Sequence, residues 1–450
     1  MQTIFSIWLF IILFFSFYKL KWGVAFYLAY TILVPIVQIN FAGIQLGENL
    51  INMAFILSYI VYAKRYNVKT DWKPLMPFIF YYIAALVLMP FQNGVPFSVM
   101  MNSWRIGVMS TLFLPFVMWN VMNHDASSVK LFRNTALIGF FIAISYGLLL
   151  TTTGGINPYI MLMPIDRDMA DYYEATGGGR IFGRISSVFI HPMTFALFIG
   201  LAFIYLFYIK EKIRKSIFVI LFISTSIMAL LCGVRSVLGG LAVTIAFYFL
   251  KSRNYKYLFY VLIIGTISFC IISEIPELSS YLGSIADINN QKGTVAGSSL
   301  DMRINQLYGA IDIAKQNPLC GLGYGWTGYY QSLKGDHPVC LAFESLIFMI
   351  ICNQGILGFI IWAILIVKYL KVNKKYVSKD IPVVSSLIVF YICYSCITGE
   401  YGYMINFLIF YTLILGENTI EKSKNLNRNN KYETQNHRAL SSSISSIQGE

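Results

Sequence analysis

Hydrophobic residues cluster in long runs from residue 3 to residue 416, and short polar segments separate these runs. A helix needs about 20 mostly apolar residues to cross the hydrocarbon core of a membrane. A membrane β-barrel would instead alternate apolar and polar residues over about ten positions, a pattern absent from the sequence. The sequence therefore predicts an all-α polytopic membrane protein with about 12–13 spans. The candidate spans are residues 3–18, 22–38, 46–63, 75–90, 106–122, 135–153, 186–209, 216–232, 237–250, 257–273, 342–367, 381–397 and 404–416.

The composition supports this class. The 450 residues are 57% hydrophobic and only 12% charged, whereas soluble domains carry about 25% charged residues. A soluble enzyme is therefore excluded. The first apolar run lacks a basic start and a small-residue cleavage site, so it is interpreted as a span rather than a signal peptide.

The net charge of +13 becomes informative when it is mapped onto the loops. One set of alternate loops carries 25 of the 34 Lys and Arg residues, and the other set carries nine. Since basic loops remain in the cytoplasm, the first set is predicted to be cytoplasmic, and no nucleic-acid partner is needed to explain the charge. With thirteen spans the N-terminus then lies outside. The cytoplasmic set comprises residues 19–21, 64–73, 123–134, 210–215, 251–256, 368–380 and the segment after 416.

The same assignment gives the domain organisation. Residues 1–416 are predicted to form a single transmembrane domain with two extracytoplasmic loops, 154–185 and 274–341. Residues 417–450 are polar and rich in Asn and Ser, so they are predicted to form a disordered cytoplasmic tail.

The 274–341 loop contains a helix signal. Ser298 is a candidate N-cap, and the Asn317-Pro318 pair ends the helical pattern. An aromatic-bearing glycine turn, 321–326, follows. The helix is expected either to lie against the membrane or the helix bundle as a functional element, or only to cover the bundle. The apolar residues at helical spacing are Leu300, Ile304, Leu307, Ile311 and Ala314.

Of the nine Lys and Arg residues predicted to lie outside, six are arginines. Of the 25 predicted to lie inside, only six are arginines. Arginine binds phosphate and carboxylate groups in a bidentate way. Arg235 lies in a short break between two apolar runs, where an ionisable residue indicates function. Arg235 and Arg303 are therefore predicted to bind a diphosphate, with Arg180 and Arg184 as further candidates. The alternative is that these side chains extend to lipid phosphates. Arg105 and Arg167 are interpreted as interface anchors or loop partners.

Few external groups could accept a proton. Glu344 lies at the entrance to an apolar span, where partial desolvation favours a general base. The alternative, an ion pair between Glu344 and a nearby arginine, does not exclude this role. His337 and His191, each followed by Pro, are the external histidines, and Glu400 is a second carboxylate at the outer edge.

The cysteines indicate little chemistry. Cys393 and Cys396 form a CxxC motif with apolar flanks and no second pair, so no metal site is expected. Cys320 and Cys340 share the long external loop and would be either a disulfide or two free thiols.

Arginines and aromatic rings at one face suit a diphosphate and sugars. The outer compartment has no nucleotide supply, so a transferase there requires a lipid-linked donor. This reasoning predicts glycosyl transfer from a polyprenyl diphosphate sugar, without a cofactor.

The chain resembles the O-antigen ligase/polymerase family of bacterial envelope polysaccharide enzymes. The resemblance covers the architecture of residues 20–416, and it is most specific where Glu344 stands ten intervening residues before a Gly-x-x-Gly motif at 355–358. Arg235-Ser236 resembles the family's outer-edge arginine, and Arg180 or Arg184 with His191-Pro192 resembles its Arg–His-Pro segment. The further positions that carry the resemblance are Arg303, Tyr308, Ala310, Asn317-Pro318, Gly321-Leu322-Gly323 and Ser345.

The resemblance implies a GT-C-like enzyme of the bacterial cytoplasmic (inner) membrane that needs no metal. Arginines hold the donor diphosphate, Glu344 or His337 is the base, and His191, Tyr324 and Trp326 are candidate acceptor or sugar contacts. Ligases carry His where this chain has Glu344, which favours a polymerase of O-antigen or capsule repeat units. The alternatives are an O-antigen ligase and a lipid-linked oligosaccharide flippase.

The implied partners follow from this chemistry. They are a polyprenyl-diphosphate-linked oligosaccharide, membrane lipids and a chain-length regulator protein.

Overall fold

The computed structural model describes residues 2–34, 39–41, 44–46, 48–153, 156–161, 184–274, 300–377 and 380–419. Its regular structure is helical except for two antiparallel strands, β1 (Ile39–Phe41) and β2 (Ile44–Leu46), in which Ile39 pairs with Leu46. The helices are α1 Gln2–Tyr18, α2 Leu20–Leu33, α3 Glu48–Arg65, α4 Met76–Leu88, α5 Phe97–His124, α6 Ala126–Thr152, α7 Pro158–Met161, α8 Pro192–Ile209, α9 Lys215–Leu231, α10 Arg235–Lys251, α11 Tyr255–Ser273, α12 Leu300–Ala314, α13 Trp326–Lys334, α14 Leu346–Tyr376, α15 Ile381–Thr398 and α16, residues 404–419.

Each of the thirteen predicted spans coincides largely with one of these helices. Six helical stretches in the described ranges are long and apolar enough to cross a membrane: α4 with its flanking 3₁₀ turns, α5, α6, α8, α14 and α15. Three shorter apolar helices, α1, α2 and α9, accompany them. The prediction of a polytopic all-α membrane protein is therefore confirmed.

Two helices form the centre of the bundle. Side chains are buried all around α8 and α16, and α15 packs against α8. A helix that is apolar on every side is stable only when protein or lipid covers it completely. The peripheral helices instead leave apolar side chains exposed, for example Ile4, Ile138 and Ile220, which fits an outer surface in contact with lipid.

The helix α16 continues into the segment predicted to be the tail. Glu417 is buried, and its carboxylate pairs with Arg133 at 3.1 Å and with Lys212 at 3.8 Å. Asn418 is also buried and donates to the Tyr208 hydroxyl over 2.7 Å. These contacts extend the packed domain through Asn418. The rest of the predicted tail, 420–450, lies outside the described residues.

A second apolar cluster lies outside the main bundle. It joins the loop between α4 and α5 with α12, α13 and the start of α14, and it includes Met89, Leu322, Trp326, Cys340 and Phe343. The described part of the 274–341 loop, from Leu300 onward, thus has a packed interior of its own, which holds the residues of the candidate site in place.

The predicted apolar stripe of α12 is only partly buried in protein: Ala314 is buried and Leu307 packs against the second apolar cluster. Leu300, Ile304 and Ile311 are exposed, whereas Gly309 and Ala310 pack against the rest of the domain. Small residues allow this close approach, because a Cβ added at Gly309 would lie 3.0 Å from the Cys340 sulfur. Leu300, Ile304 and Ile311 remain exposed on the opposite side of the helix.

Candidate active site

The loop after α12 is joined to a break in α14. At Gly355 the backbone has φ 60° and ψ −152°, values that interrupt the helix and that favour glycine. The break leaves backbone N–H and C=O groups of α14 without partners in the helix, and the loop after α12 forms hydrogen bonds with them. The Leu322 N–H donates to the Cys352 carbonyl over 2.8 Å, and the Ile356 N–H donates to the Pro318 carbonyl over 3.0 Å. The glycine turn and the Gly-x-x-Gly motif of the sequence therefore form one structural unit.

Two amide side chains fix this unit further. The Gln92 amide donates to the carbonyls of Cys320 and Asn353 over 2.5 and 2.9 Å, and its oxygen accepts from the Tyr324 N–H over 3.1 Å. The Asn353 side-chain oxygen accepts from the Thr327 N–H over 2.9 Å at the start of α13. The turn that carries Tyr324 is thereby held against both α4 and α14.

Glu344 lies at the end of a tight, strained loop. His337 and Leu341 exchange two backbone hydrogen bonds of 3.0 and 2.8 Å. Leu341 and Phe343 both have positive φ, 49° and 55°, which costs about 1–3 kcal/mol at each residue. Phe343 is fully buried, and Ser345 caps α14. Packing on both sides of Glu344 thus sets its position.

Arg303 and Glu344 form an ion pair. The guanidinium Nη2 lies 3.1 Å from the Glu344 carboxylate, and Nη1 donates to the Glu344 backbone carbonyl over 2.7 Å and to Gln306 over 3.2 Å. The side chains remain 22% and 35% exposed, respectively. The pairing considered from the sequence is therefore present, and both groups stay accessible to a ligand.

His337 uses one ring nitrogen within its own loop. Its Nδ1 accepts from the N–H groups of Val339 and Cys340 over 3.1 and 3.0 Å. Partial burial lowers the pKa of His337, which favours the neutral ring at neutral pH. A neutral imidazole that accepts at Nδ1 carries its proton on Nε2. In this arrangement His337 is suited to donate a hydrogen bond rather than to accept a proton.

A second group of candidates surrounds the start of α8. His191 caps this helix, and its Nδ1 accepts from the Met193 N–H over 3.1 Å. The charge of Arg184 acts on the His191 ring. The Ile185 N–H donates to the Cys232 carbonyl over 3.3 Å, so this segment lies against the turn that precedes Arg235. Arg235 itself is half-buried at the start of α10.

Not every candidate can be placed. Arg180 lies outside the described residues, as do most of the 154–185 loop and the candidate N-cap Ser298.

The two groups meet at the same end of α15. The Tyr394 hydroxyl donates to the Met193 carbonyl over 2.6 Å, and the Ser345 hydroxyl donates to the Cys396 carbonyl over 2.7 Å. The starts of α8 and α14 therefore both lie beside the last turns of α15. Arg184, Arg235, Arg303 and Glu344 therefore all belong to segments at this end of the bundle.

A cavity of about 470 Å³ opens beside the ion pair. Tyr401 lines the cavity and also donates a short hydrogen bond to the Ala342 carbonyl, and the charges of Glu344 and Arg303 act on its hydroxyl. Tyr324 lines the same cavity. Trp326, in contrast, is buried in the loop's apolar cluster, with its ring 5.7 Å from the Phe343 ring.

Glu400 is the acidic group of this cavity. One carboxylate oxygen accepts from the Tyr391 hydroxyl and the Met404 N–H, each over 3.0 Å, and the other accepts from the Gly402 N–H over 3.3 Å. Burial raises the pKa of Glu400, and these hydrogen bonds oppose the rise. The sequence favours Glu344 over Glu400 as a catalytic carboxylate. The linker that contains Glu400 lies between two spans, and nothing in its sequence indicates the cavity.

The two cysteines of the external loop are free thiols. Cys340 is buried beneath α12, where its sulfur contacts the Gln306 carbonyl at 3.5 Å, and burial raises its pKa to about 11. The structure therefore favours two free thiols over the disulfide that the sequence also allowed.

Comparison with known families identifies the central part of the chain. Residues 219–363 match the family model described as O-antigen ligase. The chain thus carries a domain of the O-antigen ligase/polymerase family. No curated protein matches the chain.

The match agrees with the resemblance stated from single residues. It contains Arg235, Arg303, Glu344 and Gly355, whereas Glu400 lies beyond its end. The family indicates a glycosyltransferase-like membrane enzyme whose substrates are lipid-linked polysaccharides. The match does not separate a polymerase from a ligase.

Proposed function

We propose that this protein is a repeat-unit polymerase at the outer face of the bacterial cytoplasmic membrane. It transfers a growing O-antigen or capsule glycan from its polyprenyl diphosphate carrier onto the next lipid-linked repeat unit. The observation that carries the proposal is the contact between Arg303 and Glu344. It joins the arginine proposed to bind the diphosphate to a carboxylate that, by the resemblance, stands where ligase-type members of the family have His.

The donor diphosphate is bound by arginines. Arg303 and Arg235 supply planar, bidentate donors, and Arg180 and Arg184 add positive charge. A diphosphate that binds Arg303 draws the guanidinium away from Glu344. Donor binding thereby frees the carboxylate to accept a proton, so the base becomes available only when the donor is in place.

The chemical step is a substitution at the anomeric carbon of the donor glycan. An acceptor hydroxyl oxygen bonds to this carbon as the bond between the carbon and the diphosphate oxygen breaks. Glu344 takes the hydroxyl proton, and the diphosphate stays on the polyprenyl lipid, where the arginines stabilise its charge. His337 orients the acceptor through Nε2–H, and His191 and Tyr324 are the candidate acceptor and sugar contacts. Trp326, the third candidate from the sequence, is buried in the apolar cluster of the loop and supports the site from behind.

Reconstitution separates the polymerase from its alternatives. Purified protein in vesicles receives lipid-linked repeat units as the sole substrate, and products are resolved as a ladder. A polymerase extends the units without any lipid A core. A requirement for lipid A core would instead show a ligase, the reaction for which the matching family model is named. Movement of unextended units across the bilayer would show a flippase.

The membrane orientation of the enzyme has a further consequence for partners. A growing glycan that remains at the outer face can contact a chain-length regulator protein there. Co-purification of such a protein with the polymerase from native membranes tests this part of the proposal.

A further inference from the structure

The cavity beside the ion pair is formed by segments from distant parts of the sequence. Tyr81 in the middle of α4, the starts of α5, α13 and α14, Trp362 further along α14, and the linker after α15 all contribute to its wall. Its volume of about 470 Å³ falls in the range of small-molecule sites, about 300–1,000 Å³. It therefore has room for a ligand, and its position beside Tyr401 places that ligand next to Arg303 and Glu344.

Two of its polar groups are acceptors. Glu400 directs its carboxylate towards hydroxyl and backbone donors, and no Lys or Arg of the described ranges forms an ion pair with it. Gln354 is 4% exposed, and its side-chain oxygen has no hydrogen-bond partner among the described residues. A buried acceptor without a partner is costly, and a ligand hydroxyl would satisfy it.

The carboxylate of Glu400 on the cavity wall determines which class of ligand the cavity can bind. Because Glu400 has no paired cation in the described structure, a diphosphate in the cavity would be repelled, whereas neutral hydroxyl groups would be bound. Aromatic rings supply the rest of the wall, as they do in many ligand sites. These rings belong to Tyr81, Tyr324, Tyr329, Trp362 and Tyr401. Flat apolar rings beside acceptor groups match the alternating faces and hydroxyl edges of a sugar.

We propose that this cavity is the acceptor-sugar subsite, in which Glu400 and Gln354 accept hydrogen bonds from hydroxyl groups of the repeat unit being glycosylated. This inference rests on the proposed polymerase function and names a further part of the same site. The acceptor belongs here rather than the donor diphosphate, because its reacting hydroxyl must reach Glu344 while the diphosphate stays with the arginines.

Binding can be measured without catalysis. The probe is the strain's own repeat-unit oligosaccharide, released from its lipid diphosphate by mild acid. Calorimetry with the full-length protein in lipid nanodiscs should show saturable binding to the wild type. Glu400→Gln and Gln354→Leu should each weaken it about tenfold, the loss of one hydrogen bond to a buried group. Glu211→Gln and Gln316→Leu repeat these changes at exposed positions and should bind normally.

A third variant, which reduces the volume of the cavity, keeps the test valid if Glu400→Gln or Gln354→Leu misfolds. The Cβ position of Gly328, on the cavity wall, has no heavy atom within 4 Å, so Gly328→Leu adds a side chain at the wall without a clash at Cβ and is expected to occupy part of the cavity. It should abolish oligosaccharide binding and raise the KM for the lipid-linked acceptor at normal protein abundance. Unchanged binding in Gly328→Leu, Glu400→Gln and Gln354→Leu would overturn the subsite, as would a wild type that does not bind the oligosaccharide.

One further variant separates the two proposals. Arg303→Lys should transfer roughly ten- to hundredfold more slowly while it keeps the affinity of the wild type for the lipid-free oligosaccharide. If the wild type binds the oligosaccharide in a Glu400-dependent way but forms no polymer from lipid-linked units, the subsite stands and the polymerase function fails.

Discussion

The Arg303 guanidinium contacts Glu344 twice, at the carboxylate over 3.1 Å and at the backbone carbonyl over 2.7 Å. A single side chain therefore fixes both the charge and the backbone of the proposed base. The carbonyl contact also means that Arg303 need not leave the loop when a diphosphate displaces the carboxylate, because one contact can persist while the other is exchanged.

Replacement of Arg303 by Lys should impair transfer although the positive charge remains. Lysine lacks the planar fork, and the loss of one charge-assisted contact of about 1.5–3 kcal/mol corresponds to a roughly ten- to hundredfold lower rate. Arg235→Lys should behave in the same way. Polymer formation from lipid-linked units is the measurement. Arg105→Lys is the matched control, because Arg105 is exposed and bonds Asn102. Normal polymer length in both test variants would leave these arginines as lipid anchors.

Glu344→Gln should stop extension while the protein remains in the membrane. The amide keeps size and hydrogen bonding but cannot take the acceptor proton, and loss of a general base costs roughly 10²–10⁴-fold. His337→Gln should cost less, since Nδ1 of His337 already accepts from its own loop. Single-turnover rates of Glu344→Gln and His337→Gln measure which of the two substitutions slows transfer more. The reverse order, with His337 indispensable and Glu344 replaceable, would favour a histidine mechanism of the ligase kind.

The helices were predictable from the sequence because lipid and protein both require apolar side chains along a span. The site was predictable only in part. Arg303 was identified by its place in the loop predicted to be external, and Glu344 by its place at the entrance to the following span. The sequence left open whether the two form an ion pair. Tyr81 and Gln354 lie within apolar helices, where the sequence pattern predicts burial but no role in a site. The packed structure is needed to show that they line the same cavity as Glu400.

The buried face of α12 shows a second limit. Hydrophobic periodicity indicates a stripe that runs from Leu300 to Ala314, and only its Leu307 and Ala314 pack against protein. The rest of the packed face is formed by Gly309 and Ala310. Periodicity identifies which side chains avoid water, but at a membrane surface lipid can cover them as well as protein can. The close packing of small residues then decides which face contacts the domain.

Gly355→Ala should destabilise the protein. The Gly355 backbone has positive φ, and an added Cβ would lie 2.5 Å from the Pro318 carbonyl oxygen, so the loop that carries Tyr324 must shift. The same change at Gly265, whose Cβ position has nothing within 4 Å, should be tolerated, because alanine favours the helix by about 0.5–1 kcal/mol. Thermal unfolding in detergent compares the two. Equal melting temperatures would show that the break in α14 is not required.

The charge distribution predicts which side of the membrane holds the site. Lys315, beyond the end of α12, should face outward, and Lys374, in the last turn of α14, should face the cytoplasm, because basic loops are retained inside. Both positions are exposed, so cysteines introduced there should be accessible to reagents. In intact cells a membrane-impermeant maleimide should label Lys315→Cys above the level of the parent protein, whereas Lys374→Cys should require permeabilised membranes. Labelling of both from the same side would remove the basis for an outer-face reaction, because α14 would then no longer separate the arginines and Glu344 from the cytoplasm.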